Sequence, residues 1–374
     1  MVGVAISGTG VFTPQERVTN DELVATFNKW ADAQNEKYAD AIASGEREPV
    51  QHSSSAFIVK ASGIENRYVL NKSGVVDPDT MHPILPERAP DELSLMAEMA
   101  VDAAKKAIAQ ADKSTADIDA VICAASNHER AYPAIAIEVQ QALGIDGFAY
   151  DMNVACSSAT FALQAAVDAV RNGSARSVLI VNPEICSAHL EWRDRDCHFI
   201  FGDVCTAMIV ESTGNAKSDH AFEVVSTRCV TKFSNNIRNG NGFLRRTRPG
   251  HMEDRRDMLF QQEGRKVFKE VVPMVAALIT SHISDNGLNA TDLKRLWLHQ
   301  ANKSMNDFIG HKVLGRTPVD GEQPNILQDY ANTSSAGSII TFSHFNDDLR
   351  GGDVGVICSF GAGYSAGSVI VRKM

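Results

Sequence analysis

The sequence predicts an α/β protein built of stacked layers, and three features carry that prediction. Short apolar, β-rich runs alternate along the 374 residues with longer helical patterns, which is the order of a layered α/β chain. Several of these runs are apolar without alternation, as strands covered on both faces are. An internal echo recurs at roughly 175 residues: DIDAVICAASN at 117–127 is matched by DLKRLWLHQAN at 292–302, and ACSSA at 155–159 by NTSSA at 332–336, in the same order. Two similar α/β halves packed as one unit give such a pattern. The chain divides near 213–221, into residues 1–213 and 214–374.

Strands are expected over 2–7, 120–125, 177–182, 206–211, 222–229, 296–299, 354–360 and 367–371, short β-rich segments of which several are continuous apolar runs. Helices are expected over 91–110, 134–143, 157–171, 264–286 and 335–349. Another helix is well punctuated near the start. Thr19 and Glu22 have capping-box spacing, Leu23, Phe27, Trp30, Ala31 and Tyr38 follow at helical spacing, and Gly45 offers a stop. Residues 45–55 are polar and read as a loop, while 71–90 and 233–263 read as irregular.

Composition narrows the function classes. With 44% hydrophobic residues the chain has ample material for a large core. Acidic residues outnumber basic ones, 46 to 36, for a net charge of −10, which argues against nucleic acid or an anionic membrane as partner. No run of eighteen apolar residues occurs, so no transmembrane helix is expected, and the N-terminus lacks the pattern of a signal peptide. Seven scattered cysteines without a C-x-x-C pair point away from disulfides and structural zinc, and towards a reducing compartment such as the cytoplasm.

Three polar residues stand where chemistry could sit. Cys156 lies between an extended segment and a helical run, where helix N–H groups favour a reactive thiolate. The bland alternative is a small buried residue, as Cys123, Cys205 and Cys358 read in their apolar strands. His299 ends an apolar run, which points to a site at a sheet's edge. Asn332 stands at a helix start, where it could equally be an N-cap. A Cys, a neutral His and an Asn amide suit thioester chemistry, in which the thiolate takes an acyl group and the other two stabilise an enolate. A Cys–His–Asn protease uses the same residue types in another order and context.

NVACSSA at 153–159, HQAN at 299–302, NTSSAGS at 332–338 and FGAG at 360–363 together resemble the β-ketoacyl-acyl carrier protein synthase III family of the thiolase superfamily. FGD at 201–203, GRKVFK at 264–269 and AYP at 131–133 extend the match over nearly the whole chain. The resemblance implies a five-layered αβαβα fold of two pseudo-duplicated halves, working as a homodimer. It implies that Cys156 takes an acyl primer from coenzyme A or acyl carrier protein, and that His299 and Asn332 then promote decarboxylation of malonyl-acyl carrier protein. Backbone N–H groups of Cys156 and Gly363 would form the oxyanion hole, Asn302 would steady the turn beside the histidine, and Tyr132 would line the partner's acyl pocket. No metal or redox cofactor is implied; coenzyme A and phosphopantetheine thioesters enter as substrates.

The departures bear on the substrate. Where acetyl-CoA-primed members clamp adenine with a Trp and an Arg, this chain has Phe57 and Ala61, leaving Lys60 or Arg195 to compensate. Residues 28–55 look like an insertion just before that segment, so a longer or unusual primer is expected. Arg265, Lys266, Lys269, Lys303 and Lys312 read either as solvated helix faces or as a docking patch for an acidic carrier protein. Arg245, Arg246 and Arg248 could meet substrate phosphates. Of the alternatives, a hydroxymethylglutaryl-CoA synthase relative needs a carboxylate near Ser126, where only Glu129 is close. A head-to-head condensing enzyme needs a glutamate where Tyr132 stands, and a non-catalytic partner subunit lacks the cysteine. Acyl transfer to oxygen or nitrogen stays open.

Overall fold

The computed structural model describes residues 2–240, 247 and 256–374. Nine strands form its main sheet: β1 Val4–Phe12, β2 Ala120–Ala124, β3 Phe148–Met152, β4 Ser177–Glu184, β5 Val204–Ser212, β6 Phe222–Ser234, β7 Leu293–Leu298, β8 Val354–Gly361 and β9 Gly363–Lys373. Their spatial order is β7-β8-β9-β6-β1-β5-β4-β2-β3. Apart from the edge strand β3, that order is symmetric about the β6–β1 junction, where Ala5 pairs with Glu223 and Ile6 with Phe222. Outward from it, each side meets two antiparallel pairings and then a parallel one: β1–β5, β5–β4 and β4–β2 on one side, β6–β9, β9–β8 and β8–β7 on the other. The echoed segments 117–127 and 292–302 contain β2 and β7, which hold matching places in the two arms.

Helices separate the arms into layers. Ser158–Arg171 and Gly337–His344 share one core with β1, β2, β4, β6, β8 and β9, so they form the central layer. Leu95–Gln110 and Ile135–Leu143 cover the other face of the first arm, and Gly264–Asp285 and Lys303–Leu314 that of the second. The result is the five-layered arrangement. Every residue of β4 and β8 is buried, which is why their sequences do not alternate. Close contact in the first arm depends on missing side chains: a Cβ on Gly10 would lie 2.1 Å from the Ala103 carbonyl of the alanine-rich helix. Gly264–Asp285 is long and apolar enough to cross a bilayer by length and composition, yet Val271, Val275 and Ile279 pack it on β7–β9.

Several expectations shift. β3 and the helix Ser55–Ser62 are not among the expected elements; in β3 Phe148 and Tyr150 are exposed and the other three residues half-buried, so no buried apolar run marks it. The helix expected over 335–349 is a 3-10 turn at Ser334–Ala336 followed by Gly337–His344, ending at Phe345 where the backbone leaves the helical region. Near the start the capping box at Thr19 and Glu22 is formed, but the first helix stops at Lys37 and a short Ala39–Ala43 turn follows. Of residues 28–55, the first ten complete that helix and the stretch around 50–53 folds back on it, Asn28 holding Ser53 and Asn35 holding Val50.

Candidate active site

Cys156 stands on a tight turn after β3. Ala155 has a left-handed backbone (φ 47°), and Asn153 Oδ1 accepts its N–H at 2.9 Å. The central helix Ser158–Arg171 begins two residues later. His299 directly follows β7 and donates its backbone N–H to the Cys358 carbonyl at 2.7 Å. Asn332 is held by the 200–202 segment: its N–H donates to the Ile200 carbonyl, and its carbonyl accepts the Gly202 N–H. Tertiary folding thus brings three distant residues to one place.

Two cavities meet at Cys156. The larger, of about 630 Å³, is lined by Cys156, His299, Asn302 and Asn332 together with Phe57, Arg265, Phe268 and Met305. The smaller, of about 250 Å³, carries Cys156, Ser126, Cys186, His189, Ser334 and Ala362 on its walls. Phe201, Ile237 and Phe260 border both. Gly361 keeps the approach open, since a Cβ there would lie 2.6 Å from the Cys156 Cβ.

The electrostatics correct one expectation. Helix N–H groups were expected to favour the thiolate, but burial pushes the Cys156 thiol up to about 11, so the neutral thiol is the resting form. The Ser334 hydroxyl, 3.4 Å from Sγ, and the backbone N–H groups of Ala362 and Cys156 pull the other way, while nearby Glu184 adds to the rise. Burial also holds His299 down to about 4, against a backbone contact with Ser334. The imidazole is therefore neutral, and its Nδ1 is buried without a hydrogen-bond partner among the described residues. Phe360 meets the ring edge-on at 5.1 Å.

The second backbone donor also moves. Ala362, not Gly363, presents its N–H to Cys156 Sγ, and Gly363 lines neither cavity. Within FGAG the turn aims the third residue's amide at the thiol, which spacing alone does not decide. Asn302 caps the helix Lys303–Leu314, its Oδ1 accepting from Ser304 and Met305, and its Nδ2 donates to the Ala61 carbonyl at 2.7 Å. Arg195 lies with its guanidinium carbon 4.2 Å from the Phe57 ring centroid, and its Nε donates to the His52 carbonyl at 2.8 Å. The two side chains stack on each other rather than flanking an open slot. His52 belongs to the 28–55 segment, which thereby pins Arg195 over Phe57, a residue of the larger cavity's wall.

Tyr132 is 84% exposed and lines neither cavity of its own chain. Arg265, Lys266, Lys269, Lys303 and Lys312 are all exposed; Lys266 pairs with Glu263 and Lys303 with Asp307. Arg245, Arg246 and Arg248 lie outside the described residues. Glu129 caps the helix Leu95–Gln110, accepting the Leu95 and Met96 N–H groups. The acid that does touch Ser126 is Glu184, which the sequence reading missed, as it missed Ser334 and Ala362. An acid closing an apolar run, as in VNPE, was the available signal. Among the described residues Cys123, His128 and Asp151 bring potential metal-ligating atoms within 4.8 Å of one another. Both Asp151 oxygens, however, accept helix N–H groups of Ile135 and Ala136, and burial pushes the Cys123 thiol well up.

A layered, internally duplicated fold with a cysteine, a neutral histidine and an asparagine on one cavity defines a thiolase-like acyl-condensing enzyme. The 3-oxoacyl-[acyl-carrier-protein (ACP)] synthase III profile matches residues 150–231, and its C-terminal counterpart residues 283–373. A beta-ketodecanoyl-[acyl-carrier-protein] synthase of Pseudomonas aeruginosa is 58% identical over 93% of this chain and 99% of its own length. A beta-ketoacyl-[acyl-carrier-protein] synthase III of Agrobacterium fabrum is 28% identical over the full length of both. The crystal structure of 3-oxoacyl-[acyl-carrier-protein] synthase III from Aquifex aeolicus superposes with a TM-score of 0.76 at 23% identity, covering 99% of this chain and 100% of that one. This chain belongs to the 3-oxoacyl-[acyl-carrier-protein] synthase III family, and it is an acyltransferase that forms β-ketoacyl thioesters by condensation.

Proposed function

We propose that the enzyme joins an eight-carbon acyl thioester to malonyl-acyl carrier protein, releasing carbon dioxide and giving the β-ketodecanoyl thioester. The observation that carries the mechanism is Cys156 on the wall shared by two cavities, with His299 and Asn332 on the larger. The name of the 58% identical relative supports the primer length: a β-ketodecanoyl product, less the two carbons a malonyl unit leaves behind, requires an octanoyl primer. The Phe57–Arg195 stack, in place of a Trp and Arg clamp, supports a primer other than acetyl-CoA.

In this reading the Cys156 sulfur attacks the acyl carbonyl, the bond to the donor sulfur breaks, and the thiol proton leaves with the donor thiol. N–H groups of Cys156 and Ala362 receive the carbonyl oxygen as it gains charge. Malonyl thioester then fills the larger cavity, where His299 and Asn332 donate to its carbonyl oxygen while carbon dioxide departs. The enolate carbon attacks the acyl-cysteine, and the sulfur takes up a proton on release. The two thioesters and one proton balance the reaction, and no step calls for a metal or redox group. Residues 1–213 supply the nucleophile and 214–374 the two decarboxylation residues. Seven unpaired cysteines support a cytoplasmic setting.

Intact-mass analysis after exposure to acyl-CoA and acyl-carrier donors of two to twelve carbons tests the primer. Octanoyl should acylate Cys156 at least about tenfold faster than acetyl, the scale that pocket fit to a few methylenes sets; faster acetyl transfer than any medium chain would sink the reading. For carrier docking, Arg265 at the cavity rim and Lys269 one helical turn on are the favoured contacts, since Lys266 and Lys303 already face acids. Reversing both charges should raise KM for malonyl-acyl carrier protein by about tenfold at low salt. An unchanged KM removes this patch.

A homodimer would form along β3, which among the described residues pairs only with β2 and exposes Phe148 and Tyr150, stacked at 6.5 Å. Tyr150→Asp should then sediment as a monomer. A wild type that is itself monomeric at micromolar concentration counts against the dimer.

A further inference from the structure

We propose that Glu184 is a positioning residue for the condensation, tying together the two strained turns that present Cys156 and Ser334 to each other. Glu184 ends β4, is 1% exposed, and lines neither cavity, so it acts through what it holds and not on substrate. Its carboxylate accepts four hydrogen bonds from two serines and a longer one from the Cys186 thiol at 3.8 Å. Ser126 donates its N–H at 3.0 Å and its hydroxyl at 2.5 Å; Ser335 donates its N–H at 3.1 Å and its hydroxyl at 2.5 Å. A carboxylate, with about four acceptor sites, suits that demand.

Each serine begins an arm that leads to the thiol. On the first arm the Ser126 carbonyl accepts Asn153 Nδ2 at 2.9 Å, and Asn153 Oδ1 accepts the N–H of Ala155, the residue before Cys156. On the second, Ser335 adjoins Ser334, whose hydroxyl lies 3.4 Å from Cys156 Sγ and whose N–H donates to Asn332 Oδ1 at 2.9 Å. Both turns hold a non-glycine residue in the left-handed region, Ala155 at φ 47° and Ser334 at φ 50°. L-residues resist that conformation, so the surrounding contacts must over-determine it. One arm comes from each half of the chain, and Glu184 is where they join.

Burial pushes the Glu184 carboxyl up to about 7, so a neutral group already occupies the site part of the time near neutrality. Glutamine keeps the shape and can accept and donate, whereas alanine breaks both arms. The proposal rests on Cys156 as the acyl acceptor, so two readouts are taken: single-turnover acylation of Cys156 by intact mass, and steady-state kcat and KM for condensation. Should octanoyl-CoA fail on the wild type, only the primer assignment falls, and the comparison runs with the donor the panel selects.

Glu184→Ala is expected to lower kcat by about a hundredfold and slow acylation, with KM held within about threefold, the signature of misplacement by about 1 Å. Glu184→Gln is expected to stay within about fivefold of the wild-type kcat. A folded Glu184→Ala enzyme at wild-type kcat, a loss confined to KM, or Glu184→Gln as slow as Glu184→Ala would each overturn the proposal. Where Glu184→Ala does not fold, Ser126→Ala and Ser335→Ala decide, since each removes one arm's hydroxyl. Both should lower kcat by about fivefold or more; wild-type kcat in both overturns it.

Discussion

Cys156→Ala is expected to remove condensation by a factor on the order of 10⁴ or more, because the acyl group then has no covalent acceptor. Intact mass should show an acyl adduct on the wild type and none on the variant. Malonyl decarboxylation should persist in Cys156→Ala, since in the proposed mechanism His299 and Asn332, on the larger cavity, act on malonyl without the thiol. The same thiol sets a pH dependence. With Cys156 pushed up to about 11, the thiolate fraction at neutrality is small and grows about tenfold per pH unit below that value. Acyl transfer should therefore climb steadily between pH 7 and 9. A flat profile with undiminished adduct formation would show that the sulfur is activated by another route, and an adduct on Cys156→Ala would remove it as nucleophile.

The second large effect is expected at the decarboxylation pair. His299→Ala and Asn332→Ala should each slow malonyl decarboxylation by a factor on the order of 10² to 10³, the loss seen when one donor to a developing oxyanion is removed. Acylation of Cys156 should survive in both, which separates the two half-reactions. Because burial holds His299 down to about 4, its imidazole stays neutral through pH 6 to 8 and the decarboxylation rate should show no inflection near 6.5. An inflection there, or loss of acylation along with decarboxylation in both variants, would contradict this division of labour.

The sequence made much of this site legible because its key residues sit inside short local motifs. NVACSSA, HQAN and NTSSA each contain one of the three polar side chains that line the larger cavity, and the echo between 117–127 and 292–302 reflects β2 and β7, the matching strands of the two arms. Apolar runs without alternation found the strands that are buried on both faces, such as β4 and β8. β3 escaped notice because an edge strand with exposed Phe148 and Tyr150 carries no such run.

Local sequence by itself thus determined the layered α/β class and the duplication, and its short motifs singled out Cys156, His299 and Asn332 as candidates, since periodicity and motifs are properties of neighbours along the chain. Only the tertiary structure decided how those residues are tuned. The resting thiol at Cys156, the neutral His299, the choice of Ala362 over Gly363 and the Arg195–Phe57 stack all depend on burial and on partners from far along the chain. Glu184 is the clearest case: its two serine partners are 58 and 151 residues away, one on each side of it in sequence. Desolvation and hydrogen bonding act through space, and no pattern of adjacent residues encodes them.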